Sequence, residues 1–143
     1  MTLNFRIIWI KIAASALLII PGVMMILAPL VPIFSVAVSA FLDFAFQPLN
    51  GLETLSGTTA GLLNAILGGV LLGFGVMIWM VAEHVYRKDV KLGRRLLLAP
   101  IVSWFICDSL GSVIAGAWFN AILNAGIFVL LTIPVLWPNR FAK

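Results

Sequence analysis

Four apolar runs, each long enough to cross the hydrocarbon of a bilayer as a helix, leave this chain few folds to choose from. They cover roughly residues 7–27, 58–82, 96–115 and 118–136 of a 143-residue chain. About 20 apolar residues suffice for one helical crossing. Inside lipid every backbone polar group must be satisfied within the protein, which makes such runs helical. Composition points the same way, with 63% hydrophobic and only 10% charged residues. A soluble domain keeps roughly a quarter of its residues charged. The runs leave no room for a sizeable soluble domain. The expected fold is all-α, one membrane domain over residues 1–143, an integral four-helix bundle.

The stretch between the first two runs is the ambiguous part. "APLVP" carries Pro29 and Pro32, which lack an amide hydrogen and disfavour helix in the preceding residue. The first helix should therefore end near Leu27. The remainder, residues 33–46, gives a helix of roughly 21 Å against a hydrocarbon core of about 30 Å. It could be interfacial, re-entrant or a short tilted span. Charge favours a segment that does not cross, because cytoplasmic flanks carry the excess of Lys and Arg. Arg6, Lys11, Arg87, Lys88, Lys91, Arg94, Arg95, Arg140 and Lys143 then all fall on one side, with Asp43 and Glu53 opposite. This predicts a short proline-bounded outer segment, with both termini and a loop over about 83–95 in the cytoplasm. Trp9, Trp79, Tyr86 and Trp137 should lie at the inner headgroup level and Trp118 at the outer one, while Trp104 is too deep for either belt. The basic start and first apolar run imitate a secretion signal, but the run is too long and "VSA" before Phe41 too distant for cleavage.

The sequence pI of about 9.9 is explained by orientation and requires no nucleic-acid partner. Cys107 is the single cysteine and His84 the single histidine. Neither a disulfide within the chain nor a metal site of three or four such ligands can be built from them. No cofactor is expected. No phosphate-binding glycine loop or nucleophile elbow is present; "GGVLLGFG" lies inside a span. The basic loop "YRKDVKLGRR" serves topology, with attraction of anionic lipid as the alternative.

Two patterns carry more information. Gly57, Gly61, Ala65, Gly69 and Gly73 recur every fourth residue, as do Ala99, Ser103, Cys107, Gly111 and Ala115, and then Ala117, Ala121 and Ala125. Small residues at this spacing share a helix face and let backbones approach. They are expected to pack the helices of this chain against one another rather than to form a dimer face. The second pattern is polar. Asp108 interrupts the third run in "WFICDSLGS", with Ser112 one turn on, and Asn120 and Asn124 fall at similar depths on the fourth. Asn64 matches that depth on the second. Asn64, Asp108, Ser112, Asn120 and Asn124 could thus converge in the outer half of the bundle. An ionised Asp near the bilayer centre costs at least about 2.5 kcal/mol. Either Asp108 is protonated or takes hydrogen bonds from the asparagines and fixes helix packing, or it lines a cavity for a small polar molecule or lipid headgroup.

The "PG" inside the first helix, the outer proline segment, "LLNAILGGVLLGFGVMIW" and the basic loop that follows resemble the DoxX-like group of small bacterial four-helix membrane proteins, in particular its uncharacterised branch. The resemblance covers most of the chain in layout and implies a bacterial inner-membrane location. That group is associated with redox partners and sulfur metabolism, but the resemblance implies no general activity and no site residues. With no nucleophile–base pair or metal set in view, the expected role is non-enzymatic. It is an accessory or scaffold protein, packed in the lipid bilayer with a larger complex or with itself. A carrier or binder centred on Asp108 is the alternative.

Overall fold

The computed structural model describes residues 1–54 and 56–138. These fold into five helices: α1 (Leu3–Leu27), α2 (Pro32–Phe46), α3 (Thr58–Tyr86), α4 (Val90–Ile114) and α5 (Trp118–Leu136). The fold is all-α, and the described residues contain no strand. All but α2 are long and apolar enough to cross a membrane. Three helices overrun the boundaries read from hydropathy. α1 starts at Leu3 because the Thr2 hydroxyl accepts from the Phe5 amide at 3.3 Å, and α4 starts at Val90 because Asp89 caps it through the Leu92 amide at 2.9 Å. The loop expected over 83–95 shrinks to residues 87–89. Helical propensity does not stop where charge begins, and long basic side chains can reach water from a helix that continues past the apolar zone.

Arg6, Lys11, Arg87 and Arg94 gather at one end of the bundle. Arg6 meets Tyr86, Pro134 and Val135 there, Lys11 meets Glu83, and Arg87 meets Asn4 at 3.2 Å. This is the basic end. Arg140 and Lys143, assigned to the same side from sequence, lie outside the described residues. The apolar core sits in this half: Ile7, Ile10, Ala14 and Leu18 of α1 pack with Ile78 and Ala82 of α3, Leu97 and Ile101 of α4, and Leu131 and Val135 of α5. At the opposite end α2 packs on α1 and α5, with Phe44 edge-on to Phe119 at 4.7 Å. Asp43 ties down the segment after α2 by accepting from the Asn50 and Gly51 amides at 3.3 and 2.9 Å.

α1 and α3 approach until their backbones touch. A Cβ built on Gly68 would lie 2.6 Å from the Gly22 carbonyl oxygen and 2.9 Å from the Met25 Cβ. One on Gly75 would lie 2.7 Å from Ile19 Cγ1. The α3 face that packs inward is thus Asn64, Gly68, Gly75, Ile78 and Ala82. This corrects the glycine stripe read from sequence: a Cβ at Gly57, Gly61, Gly69 or Gly73 would meet nothing within 4 Å. The α4 stripe is also outward, with Ala99, Ser103, Cys107, Gly111 and Ala115 all exposed. Only the α5 set turns partly inward, led by the buried Ala117. Two small-residue rows compete on α3, and the one aligned with Ile78 and Ala82 wins because it continues the apolar core.

Prolines explain the remaining cohesion. A proline removes the amide that would bond the carbonyl four residues earlier, and a buried carbonyl left alone is costly. Here neighbouring helices supply side-chain donors. Pro29 frees the Met25 carbonyl, and Asn64 Nδ2 donates to it at 2.7 Å. Pro134 frees Leu130, and the Trp9 indole donates at 3.1 Å. Pro138 frees Pro134, and Arg6 Nε donates at 2.7 Å. Pro21 is handled within α1: the helix widens to a π-turn over Ser15–Ile19 immediately before it, so that Ile20 donates to Ser15 instead. Each stitch joins α1 to α3 or α5.

Candidate functional site

Of the five polar residues singled out from sequence, four meet. Asn124 Nδ2 donates to Asp108 Oδ2 at 2.6 Å, and Asn120 Nδ2 donates to Ser112 Oγ at 2.8 Å. These are two rungs between antiparallel α4 and α5, one turn apart, as the four-residue spacing on each helix requires. Ser112 in turn donates to the Asp108 carbonyl at 2.7 Å, and Ser109 Oγ also accepts from Asn124, at 3.4 Å. Asn64 does not join them. It is buried against α1, spent on the Met25 carbonyl, because the Pro29 vacancy offers it a closer acceptor. Depth along the bundle put Asn64 level with the others, but depth does not determine azimuth.

The setting of Asp108 also differs from the usual one for an intraspan carboxylate. Such groups normally face a bundle interior, yet Asp108 is exposed while its partner Asn124 is buried. One carboxylate oxygen takes the Asn124 bond; the other has no partner among the described residues. Asp108 therefore sits at the edge of the α4–α5 seam, beside the outward row of Ser103, Cys107 and Gly111. Two grooves, of about 350 and 470 Å³, flank the α1 face of Ile8, Ile12 and Ala16, and none of the polar rung residues lines either. Chemically, the rungs orient α5 on α4 and present one carboxylate oxygen outward. Among the described residues, no three His, Cys, Asp or Glu side chains group closely enough to hold a metal ion.

The densest polar network is elsewhere, at the basic end, and sequence reading assigned it to topology alone. Arg6 is fully buried. Its guanidinium donates to the Pro134 carbonyl at 2.7 Å, to the Val135 carbonyl at 3.2 Å and to the Tyr86 hydroxyl, and its Cζ lies 5.1 Å from the Tyr86 ring centroid. It thus caps the C-terminus of α5, where free carbonyls and the helix dipole favour a cation. Tyr86 is fully buried at this end, its ring and hydroxyl both serving Arg6. Gly93 lets α4 start against it: a Cβ there would overlap the Tyr86 backbone and lie 2.7 Å from its Cβ. Next to this knot, Glu83 takes Lys11 at 2.9 Å and Arg87 at 2.9 Å, and Lys11 also lies 3.8 Å from the centroid of the Trp79 ring. The signal that could have found Arg6 and Trp9 is the four-residue step Leu130, Pro134, Pro138, which announces two orphan carbonyls in need of donors. Trp104, too deep for a belt, packs beside Phe74 with ring centroids 6.4 Å apart. No protein-family model, curated protein or solved structure matches this chain.

Proposed function

We propose that this chain is a small multi-pass protein of a bacterial inner membrane, of DoxX-like type, with a non-enzymatic accessory or scaffold role. Its termini and the short α3–α4 connection face the cytoplasm, in keeping with the positive-inside rule. The observation that carries the reading is the outward face of α4. Ala99, Ser103, Cys107, Gly111 and Ala115 are exposed on it, and Asp108 is exposed at its edge. Small residues facing lipid gain nothing, whereas against another helix they permit close backbone approach. A carboxylate facing lipid is costly, whereas at a helix interface it is not. Both features make sense on a surface covered by a second membrane protein. The carrier alternative drew on five polar groups around one cavity. With Asn64 bonded to α1 and the other four engaged between α4 and α5, the accessory role is favoured.

A photoreactive side chain placed at Cys107 or Gly111 tests this in native membranes. The expected result is one protein adduct of defined size, absent with the same probe at the exposed Ile12 of α1 and weakened by Asp108→Leu. Lipid adducts alone from all three positions would overturn the proposal.

A further inference from the structure

The charge inventory of the basic end does not close among the described residues. Its acidic side chains among the described residues are Glu83 and Asp89. Glu83 is shared by Lys11 and Arg87, and Asp89 is committed to the Leu92 amide. Arg6 is compensated by α5 carbonyls and Tyr86. Arg94 is left. It is half-buried one turn into α4, close enough to Arg6 for the two like charges to repel. Its Nε is fully shielded from solvent and has no hydrogen-bond partner.

A half-buried guanidinium with no acidic partner among the described residues, held beside a second guanidinium, suits an anion that reaches its solvent-facing side. The planar fork matches two oxygens of a phosphate, and Arg is suited to such bidentate contacts where Lys is not. The surroundings select a lipid over a free anion. Lys91 and Arg95 are exposed three residues before and one after Arg94, outside any ion pair among the described residues. Four and eight residues further along α4 come half-buried Leu98 and exposed Val102, an apolar track leading away from the charge. We infer that Arg94 is the centre of a binding site for an anionic phospholipid: its guanidinium takes the phosphodiester, Lys91 and Arg95 favour a net negative headgroup, and an acyl chain runs along Leu98 and Val102. The headgroup site sits in the first turns of α4, five residues before Ala99, where the face assigned to a protein partner begins.

Short-chain lipids added to the purified full-length protein in neutral detergent test the assignment, with thermal stabilisation as the readout. Dioctanoyl phosphatidylglycerol should stabilise at about tenfold lower concentration than dioctanoyl phosphatidylcholine, and inorganic phosphate should have no effect at matched concentrations. Arg94→Gln should abolish the preference, whereas Arg95→Gln, which removes the same charge, should change it less than twofold. If Arg94→Gln does not fold, Arg94→Lys decides: it keeps the charge but not the fork, and should lose most of the preference. Equal losses at positions 94 and 95, or full retention in Arg94→Lys, would mean diffuse attraction and overturn the site. Stabilisation by inorganic phosphate alone would make the ligand a free anion and overturn the lipid assignment.

Discussion

Replacing Gly68 by alanine tests how α1 meets α3. The added Cβ would lie 2.6 Å from the Gly22 carbonyl oxygen, 2.9 Å from Met25 Cβ and 3.0 Å from Ile26 Cγ1. The first of these is backbone, so no rotamer change relieves it and the helices must part. Overpacking of this kind costs about 1–3 kcal/mol, and a clash on the main chain belongs at the upper end. Gly69→Ala is the control on the adjacent residue. Its Cβ would meet nothing within 4 Å, and alanine relieves the roughly 0.5–1 kcal/mol that glycine costs in a helix. The two variants, identical in composition, should differ by about 2–4 kcal/mol in opposite directions from wild type. Reversible unfolding of the full chain by SDS in mixed micelles reads the difference. A Gly22→Ala, Gly68→Ala double variant should lose less than the sum, because helices already forced apart have room for the second methyl. Equal midpoints for Gly68→Ala and Gly69→Ala would refute the register of α3.

Trp9→Phe should cost about 1 kcal/mol for the lost bond to the Leu130 carbonyl, and much of that should vanish in a Pro134→Ala background, where the helix supplies its own donor; a double-mutant cycle in the same unfolding assay measures the coupling. Arg6→Gln should destabilise by about 2–4 kcal/mol, since charge-assisted bonds to two carbonyls and a hydroxyl are lost together, and Arg6→Lys should recover only part because the fork is gone. Asp108→Asn should leave the fold intact, with the Asn124 bond made to an amide oxygen instead; a loss above about 1 kcal/mol would show that the carboxylate charge matters to packing. Reporter fusions at the C-terminus and within residues 50–57 should give opposite topology signals in cells, and matching signals would break the four-span arrangement.

Helix number and the position of the proline-bounded segment were legible in the sequence because both rest on long averages, apolar length and the one-sided placement of charge. Azimuth was not. The row of Gly61, Ala65, Gly69 and Gly73 and the row of Asn64, Gly68 and Gly75 are both small-residue faces of α3, roughly one residue's rotation apart. Only the partner helix decides between them, through Gly22 on α1. Asn120–Ser112 and Asn124–Asp108 could be anticipated because antiparallel neighbours joined by a short turn share depth and azimuth near that turn. Asn64 lies on a helix not adjacent in that sense, and its level alone misplaced it. Average preference gave Tyr86 a level but not its contact with the buried Arg6, which depends on where α1 lies.

The stitched carbonyls and the free face of α4 belong to one account. α1 contributes donors or acceptors to all three proline stitches, binding itself to α3 at Met25 and to α5 at Leu130 and Pro134. α4 takes part in none of them. It is held at its start by Gly93 against Tyr86 and along α5 by the two polar rungs, which leaves its small-residue face outward. Gly61, Gly69 and Gly73 of α3 likewise face open space, so neither row is used for packing among the described residues. The rungs join α4 to α5 while Cys107 and Gly111 stay exposed. Substituting Asn120 and Asn124 together by leucine removes both rungs without adding bulk to the α4 face. If the rungs hold that face open for a partner, the double variant should stay folded, lose about 1–2 kcal/mol for two interhelical bonds, and lose the adduct formed from a probe at Gly111. Retention of the adduct at full yield would show that the face is presented by the helix itself and owes nothing to its polar seam.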